Sequence, residues 1–580
     1  MSLAGARAEV PVGAVSSPSA GMPAEAAPEA AVPPDEAGRR VRADADTPVA
    51  RPGGPGDANM PVARPGGPGD RLPQGPDPGR VPSSPAPPSV GELPAPPAVA
   101  EMPPPITDAA ELAEEIVALF HERTAIRWER VLSGLVALYA GDDRAGLAAS
   151  LRPVADRYAN LHTDRPDPGP WGLGLPTAGL AVAIRAATGD AGPHQRELVR
   201  RLTAAVRVAW QEGRRGRPDA PFAGQPIGVL AVRVAEMAAQ LTGSMVPMTV
   251  STPTHVSGHV DGAVLLDRLR HAEAEGWQPW PFDFEQALLR VPRDTPAAVA
   301  AEAARLTSPA GRQFAQWLAT GGLPDPVSAA FPQYGTRHEH LGHTWDDPVP
   351  RRVVATLRPA RDGGLRLERQ LLTLNPPKSP VHLPGEFTGV EDVLAMVVPD
   401  HREVAAAWAL ADVAALADQG RRGAARLLPL LAGGGGPAGP ALCTALAYGL
   451  GAKDEPDRAA AVDAFRTLAA SAVPFAAGVG TALADLTADG TVKLSRIVPA
   501  LTDAHRTGAS AAVWDLLLAV LPALLPTTVR AVPDLLDLAG QVAATLGARD
   551  EIPGLTAAAS RSDSTRLAKE ARRLHNILTA

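Results

Sequence analysis

Apolar positions in the last third of the chain recur with the period of a helix. Val513, Leu517, Val520, Leu521 and Leu524 fall on one helical face. Leu535, Leu538, Val542 and Leu546 repeat the pattern, and Gly547 follows where a left-handed cap belongs. Upstream, Phe475, Val479, Leu483 and Leu486 form one stripe and Leu494, Ile497, Val498 and Leu501 another. Val462, Phe465 and Leu468 form a third behind Asp454-Glu455-Pro456, and the last stripe is Leu567, Ala571, Leu574 and Leu578. Each stripe is too short to hold a helix alone in water, so each must bury its face against neighbours. A series of such helices with no strands between them predicts an all-α protein of stacked helical hairpins. The closest description is a degenerate HEAT-like α-solenoid, with an irregular helical bundle as the competing arrangement.

The same period, less regular, covers residues 106–323. Thr107 is placed to cap a helix carrying Leu112, Ile116 and Leu119, and Trp128, Val131, Leu132, Leu135 and Leu138 make the next stripe. Leu147–Leu161 contains Pro153. Thr177–Thr188, Gln195–Gly213, Ile227–Leu241 and Phe282–Arg290 read as further helices, and Asp261 as the cap of another. Gly276-Trp277-Gln278-Pro279-Trp280-Pro281 reads as an aromatic turn between helices. The segment 324–398 breaks the pattern. Arg352–Leu357 and Leu365–Leu374 alternate in part around Arg361-Asp362-Gly363-Gly364, which predicts a small β-hairpin inserted near 352–374. Helices resume over 399–580.

Residues 1–105 carry no such pattern. Much of the chain's 62 Pro and 55 Gly falls there, and large apolar residues are too sparse to offset the entropy of ordering. The run Pro48–Asp57 recurs letter for letter at Pro61–Asp70. The prediction is a disordered Pro/Ala/Gly-rich arm that acts as a tether.

Composition narrows the function classes. Net charge is −8, and the Arg groups 214, 215, 217 and 421, 422, 426 are too small for a nucleic-acid face. Cys443 is the one cysteine, within an apolar helical run, and is expected to be a buried structural thiol in a reducing compartment. No apolar run approaches the ~20 residues of a membrane span, and no signal peptide is visible. The expectation is a cytoplasmic protein without membrane or nucleic-acid partners.

Several short stretches carry a family resemblance. They are Thr252-Pro253-Thr254-His255, Gly258-His259-Val260-Asp261 and Pro399-Asp400-His401-Arg402-Glu403-Val404. Ala447-Tyr448-Gly449-Leu450-Gly451, Gly490–Val498, Val513-Trp514-Asp515, Glu551-Ile552-Pro553-Gly554 and Ala571-Arg572-Arg573-Leu574 complete the set. Over residues 107–580 the chain resembles an actinobacterial family of long, helical, HEAT-like proteins of unknown function. Members are often encoded near MoxR-type AAA ATPases, von Willebrand A-domain proteins and SWIM zinc-finger proteins. The resemblance implies a protein partner from that neighbourhood. It also implies that the family's usual N-terminal region is absent or shortened, with Pro-rich sequence in its place.

The sharpest candidate chemistry is Arg337-His338-Glu339-His340-Leu341-Gly342-His343. His338, His340 and His343, with a carboxylate among them, suit zinc, but only on a strand or loop, because two-residue spacing separates histidines on a helix. His255, His259 and Asp261 form a second cluster, read as a structural turn. His401-Arg402-Glu403 opens a helix, with Glu403 suited to the dipole. Gly433–Pro437 lacks the Lys-Ser/Thr of a phosphate loop and reads as a flexible break. No complete catalytic constellation stands in the sequence. The leading expectation is a non-catalytic helical scaffold or interaction module with no cofactor; the alternative is a metal-binding regulator or metal-dependent hydrolase using His338, His340 and His343.

Overall fold

The structure, a computed structural model, describes residues 99–158, 174–189, 227–241, 246–334, 337–340, 343–346, 351–358, 390–419, 425–471 and 473–580, with isolated positions 197, 200 and 423. The expected N-terminal arm up to residue 98, the helix Gln195–Gly213 and the strand Leu365–Leu374 lie outside the described residues.

The first helices are α1 (Ala109–His121), α2 (Ala125–Ala140), α3 (Arg144–Arg157), α4 (Gly174–Ala187) and α5 (Ile227–Gln240). Asp108, not Thr107, caps α1: its Oδ1 accepts from the Ala110 N–H at 3.1 Å. Thr124 does the same for α2, accepting from the Arg127 N–H. The stripe Trp128, Val131, Leu132 and Leu135 is buried as its spacing requires. Pro153 sits inside α3 without ending it.

A smaller core follows, built from Val250, Val260, Leu265, Leu269, Phe284, Leu288 and Phe314. It belongs to α6 (Gly262–Glu275), α7 (Pro281–Leu289), α8 (Ala297–Ala303) and α9 (Pro309–Thr320). Gly276, at φ 72°, ends α6, and Trp280 precedes α7 with its ring buried, so the aromatic turn pins two helices. Asp261 stands at the start of α6 but makes no side-chain cap.

Two antiparallel ribbons interrupt the helices. β1 (Val327–Tyr334) pairs with β4 (Arg351–Arg358), Val327 opposite Arg358, and β2 (Arg337–His340) pairs with β3 (His343–Asp346). Arg352–Leu357 is therefore a strand, as its alternation predicts, but its partner here is the upstream segment 327–334. Sequence alternation shows a strand's period and not which segment completes its ladder. Val353, Ala355 and Leu357 enter the main core, where β4 packs on α11 and α13, defined next.

From residue 390 the chain is helical: α10 (Val390–Val397), α11 (Arg402–Gln419), α12 (Leu428–Gly433), α13 (Pro440–Leu450), α14 (Glu455–Ala470), α15 (Ala476–Ala488), α16 (Leu494–Arg506), α17 (Ser510–Leu524), α18 (Val532–Leu546), α19 (Leu555–Ala559) and α20 (Arg566–Thr579). Helices pack on their next-but-one neighbours. α11, α13, α15 and α17 form one layer, and α12, α14, α16, α18 and α20 form the other. This is the stacked architecture that the short stripes require, because each helix finds its apolar cover in the next unit. α13 lies between layers and strands, and residues 441–450 are all buried, as suits a helix apolar on every side. No helix among the described residues is long and apolar enough to cross a membrane.

Candidate functional site

Charged side chains gather where α2, α5 and α7 meet residues 250–260 and 396–403. At the centre is Glu129 of α2, almost fully buried. Arg290 grips it with two terminal nitrogens at 2.7 and 3.0 Å, and Arg233 of α5 does so at 2.6 and 3.0 Å. Arg233 also donates to Ser251 Oγ at 2.7 Å, which donates to Asp283 Oδ1 at 2.5 Å. Arg290, fully buried, donates to the carbonyls of Ser251 (2.7 Å) and Met396 (3.0 Å). Two arginines thus meet two carboxylates, Glu129 and Asp283; Arg290 also donates to backbone oxygens, while Arg233 Nε is buried without a hydrogen-bond partner. Burial alone would raise the Glu129 pKa, but the two guanidinium groups outweigh it and hold it at about 2. Burial pushes Arg290 down and Arg233 is raised, since Glu129 overcomes its desolvation.

Other carboxylates of this region cap helices they do not belong to. Glu236 accepts from the Phe282 and Asp283 N–H groups at the start of α7, both at 3.0 Å. Its burial, aided by nearby Asp283, raises it to about 7. Glu403 opens α11, yet its carboxylate accepts from Gly439, Ala441 and Leu442 (3.0, 2.7 and 3.1 Å) and so serves the start of α13. Burial raises its pKa too. Asp457 likewise accepts from the Gly423 and Ala425 N–H groups ahead of α12. Spacing alone suggests that Glu403 serves its own helix; packing of α11 on α13 assigns it to the neighbour.

The glycine run is also fixed in place. Gly435 N–H donates to the Pro399 carbonyl at 2.6 Å, and Arg402 donates to the carbonyls of Ala432, Gly434 and Gly435 at the end of α12. A Cβ at Gly435 would fall 2.0 Å from Asp400 Oδ1, and one at Gly436, where φ is 82°, 2.6 Å from Asp400 O. The run expected as a flexible break is a close-packed cradle for Pro399–Arg402, and only glycine admits that approach.

Beside it lies a second polar group. Arg293 pairs with both oxygens of Asp325 at 2.5 and 2.8 Å. His401 Nδ1 lies 2.9 Å from Asp325 Oδ1 and 3.0 Å from an Arg293 terminal nitrogen, and its tautomer decides which of the two it bonds. Burial would raise Asp325, but hydrogen bonds from Arg293 and His401 hold it at about 2. His259 Nδ1 lies 2.8 Å from Ser257 Oγ, and its Nε2 is 3.4 Å from Asp400 Oδ1. Asp400 Oδ2 is buried with no hydrogen-bond partner. A cleft of ≈ 40 Å³ reaches Arg293, Thr295, Trp317, Leu323, Asp400 and His401. It has room for a few waters at most and not for a metabolite. Ser257, His259 and Asp400 stand in the order of a hydrolase triad, but the Asp400 contact is long and neither Ser257 nor His259 lines the cleft.

His255 Nδ1 lies 2.8 Å from Thr254 Oγ1, which also accepts from the Asp261 N–H at 3.0 Å, whereas the His259 ring faces Ser257 and Asp400. Among the residues whose side chains are described, which do not include those of β2 and β3, no group of three or more His, Cys, Asp or Glu is arranged to hold a metal. His338 and His340 fall on β2 and His343 on β3, opposite His340. Cys443 is buried, and burial pushes its thiol up to about 12, the reverse of a nucleophile's needs. Of the arginine groups, 214, 215, 217, 421 and 422 lie outside the described residues, and Arg426 is exposed.

The comparisons with known proteins bear on this region. Residues 225–320 match the model of a domain of unknown function, DUF7824. No curated protein and no solved structure matches the chain. The DUF7824 segment contains Arg233, Glu236, Ser251, His259, Asp283, Arg290 and Arg293. The partners that complete their charges, Glu129, Asp325, Asp400 and His401, lie before and after it. Its charged residues thus join the segment to the helices on either side.

Proposed function

We propose that the chain is a non-catalytic helical scaffold that binds a protein partner through its two-layered C-terminal array. One observation carries this reading: the charged side chains around Glu129 and at the starts of α7 and α13 pair with one another and with helix ends. Glu129, Arg233, Arg290, Asp283, Glu236, Arg402 and Glu403 all have such partners. They lock α2, the DUF7824 segment and residues 396–403 into one body on which the array is built. Binding then falls to the outside of the array. There an open groove of ≈ 300 Å³ runs between α16 and α18, lined by Val498, Pro499, Thr502, Asp534, Leu538 and Gln541.

The partner is a protein, and the family resemblance favours a MoxR-type ATPase or a von Willebrand A-domain protein in an actinobacterial cytoplasm. The N-terminal Pro-rich arm then tethers the array. Isolation of the native complex tests this, with Gln541→Arg, at an exposed position of the groove, as the probe of the surface. Partner binding is expected to fall at least about 10-fold, as for a central interface residue. An unchanged complex places the partner elsewhere.

A further inference from the structure

The pairing of β2 with β3 sorts this ribbon's residues onto two faces. Successive strand positions alternate between faces, and directly opposed positions share one. His340 opposes His343, and His338 opposes Trp345. Positions 338, 340, 343 and 345 therefore occupy one face: three histidines and a tryptophan. The other face holds Arg337 opposite Asp346 and Glu339 opposite Thr344. That second face is an ordinary solvent-stable set, with an opposed charge pair and a small polar pair. The carboxylate that sits among the histidines in the sequence is thus separated from them by the pleat.

The histidine face has the spacings a metal site needs. Opposed positions on a ribbon have Cβ atoms roughly 4.5–5.5 Å apart, and diagonal ones, as 338 is to 343, are roughly 7–8 Å apart. Positions two apart on a strand are separated by about 6.6 Å. Three histidine positions at such spacings suit one ion that prefers imidazole nitrogen. A helix could not offer this arrangement for 338 and 340, because residues two apart do not face each other there.

We propose that the ribbon face bearing His338, His340 and His343 is a binding site for a divalent transition-metal ion of imidazole preference, with zinc the first choice. An all-nitrogen set without a carboxylate excludes magnesium and calcium, which want oxygen. Three protein positions leave a fourth coordination place for water or for a partner's side chain. The ribbon lies apart in sequence from the charge network around Glu129, so the site does not depend on the scaffold reading.

The test uses the full-length, untagged protein. After exhaustive dialysis its zinc content is measured by elemental analysis, and zinc affinity by competition with a chromophoric chelator. Cobalt(II) substitution then reports the coordination by its visible absorption. The expected result is one zinc per chain and a tetrahedral or five-coordinate cobalt spectrum. His340→Ala is expected to weaken zinc at least about 100-fold, with far-UV circular dichroism unchanged, while Glu339→Gln, on the opposite face, leaves affinity as it was. Protein that is folded yet takes up no zinc at micromolar concentration overturns the proposal. So does zinc retained at full stoichiometry when His338, His340 and His343 are all replaced by Asn, or an equal loss in Glu339→Gln.

Discussion

Glu129 is the acid on which two buried arginines depend. Removing one member of such a group leaves charge in the interior without a counter-charge, at a cost of about 3–5 kcal/mol. Glu129→Gln is therefore expected to lower unfolding stability by that amount in a urea titration. The combined change Glu129→Leu, Arg233→Met, Arg290→Met and Asp283→Asn, which removes both cations and both anions, should recover most of the loss, because a neutral set needs no counter-charge. Failure of the combined variant to recover would mean that the charges do more than hold helices together. Glu236 gives a pH dependence of opposite sign to the usual carboxylate. Its folded pKa of about 7 exceeds its ordinary 4.5, so the folded protein holds the proton more tightly. Its contribution is complete below about pH 4.5 and is lost as pH rises through 7. Glu129 and Asp325, both held at about 2, act the other way: their contribution is present above the ordinary carboxylate range and is lost as pH falls from there through about 2. Glu236→Gln should flatten the stability profile between pH 4.5 and 7; an unaltered slope there contradicts the assignment. None of these partnerships was legible in the sequence. Glu129 is 104 residues from Arg233 and 161 from Arg290, and no local pattern marks a charge as buried.

At the scale of elements, the sequence was read most fully where one face of a helix is buried. The stripes of α14 to α18 and α20 match their buried residues apart from Val498 and Leu567, which are half-buried, and Leu546, which is exposed at the end of α18; period 3.6 and one-sided burial are the same statement. The ribbons were less legible. Segment 324–398 stood out as non-helical, but pairing joins strands across intervening chain, and only register shows that His338, His340 and His343 share a face. The close crossing of α15 on α17 was hidden as well. A Cβ at Gly480 would lie 2.4 Å from the Leu516 carbonyl oxygen and 2.8 Å from Ala519 Cβ. Gly480→Ala is expected to cost about 1–3 kcal/mol by forcing the helices apart. Gly540→Ala, where the nearest atom is 3.5 Å away, should be neutral or stabilising by up to ~1 kcal/mol through helix propensity. Thermal melts of the two variants check this, and equal shifts would contradict the packing of these layers.

Across the whole molecule, interior charge joins helices, and the proposed partner binding is left to the exterior surface. The network around Glu129 joins α2, the DUF7824 segment and residues 396–403, and the glycine cradle seats Pro399–Arg402 against the start of the array. The resemblance seen in Gly258–Asp261 and Pro399–Val404 acquires a physical reason here, because His259 meets Asp400. The array beyond extends this body as a two-layered stack whose outer groove is free of that network. The most direct test of the scaffold reading is the state of the protein in its native cells, isolated gently and sized with its bound proteins identified and counted. The account predicts a complex heavier than the chain's own 59.8 kDa. It should contain one partner in fixed ratio, shield α16 and α18 from hydrogen exchange, and be weakened by Gln541→Arg. A folded chain that runs alone at its own mass under every growth condition would contradict it.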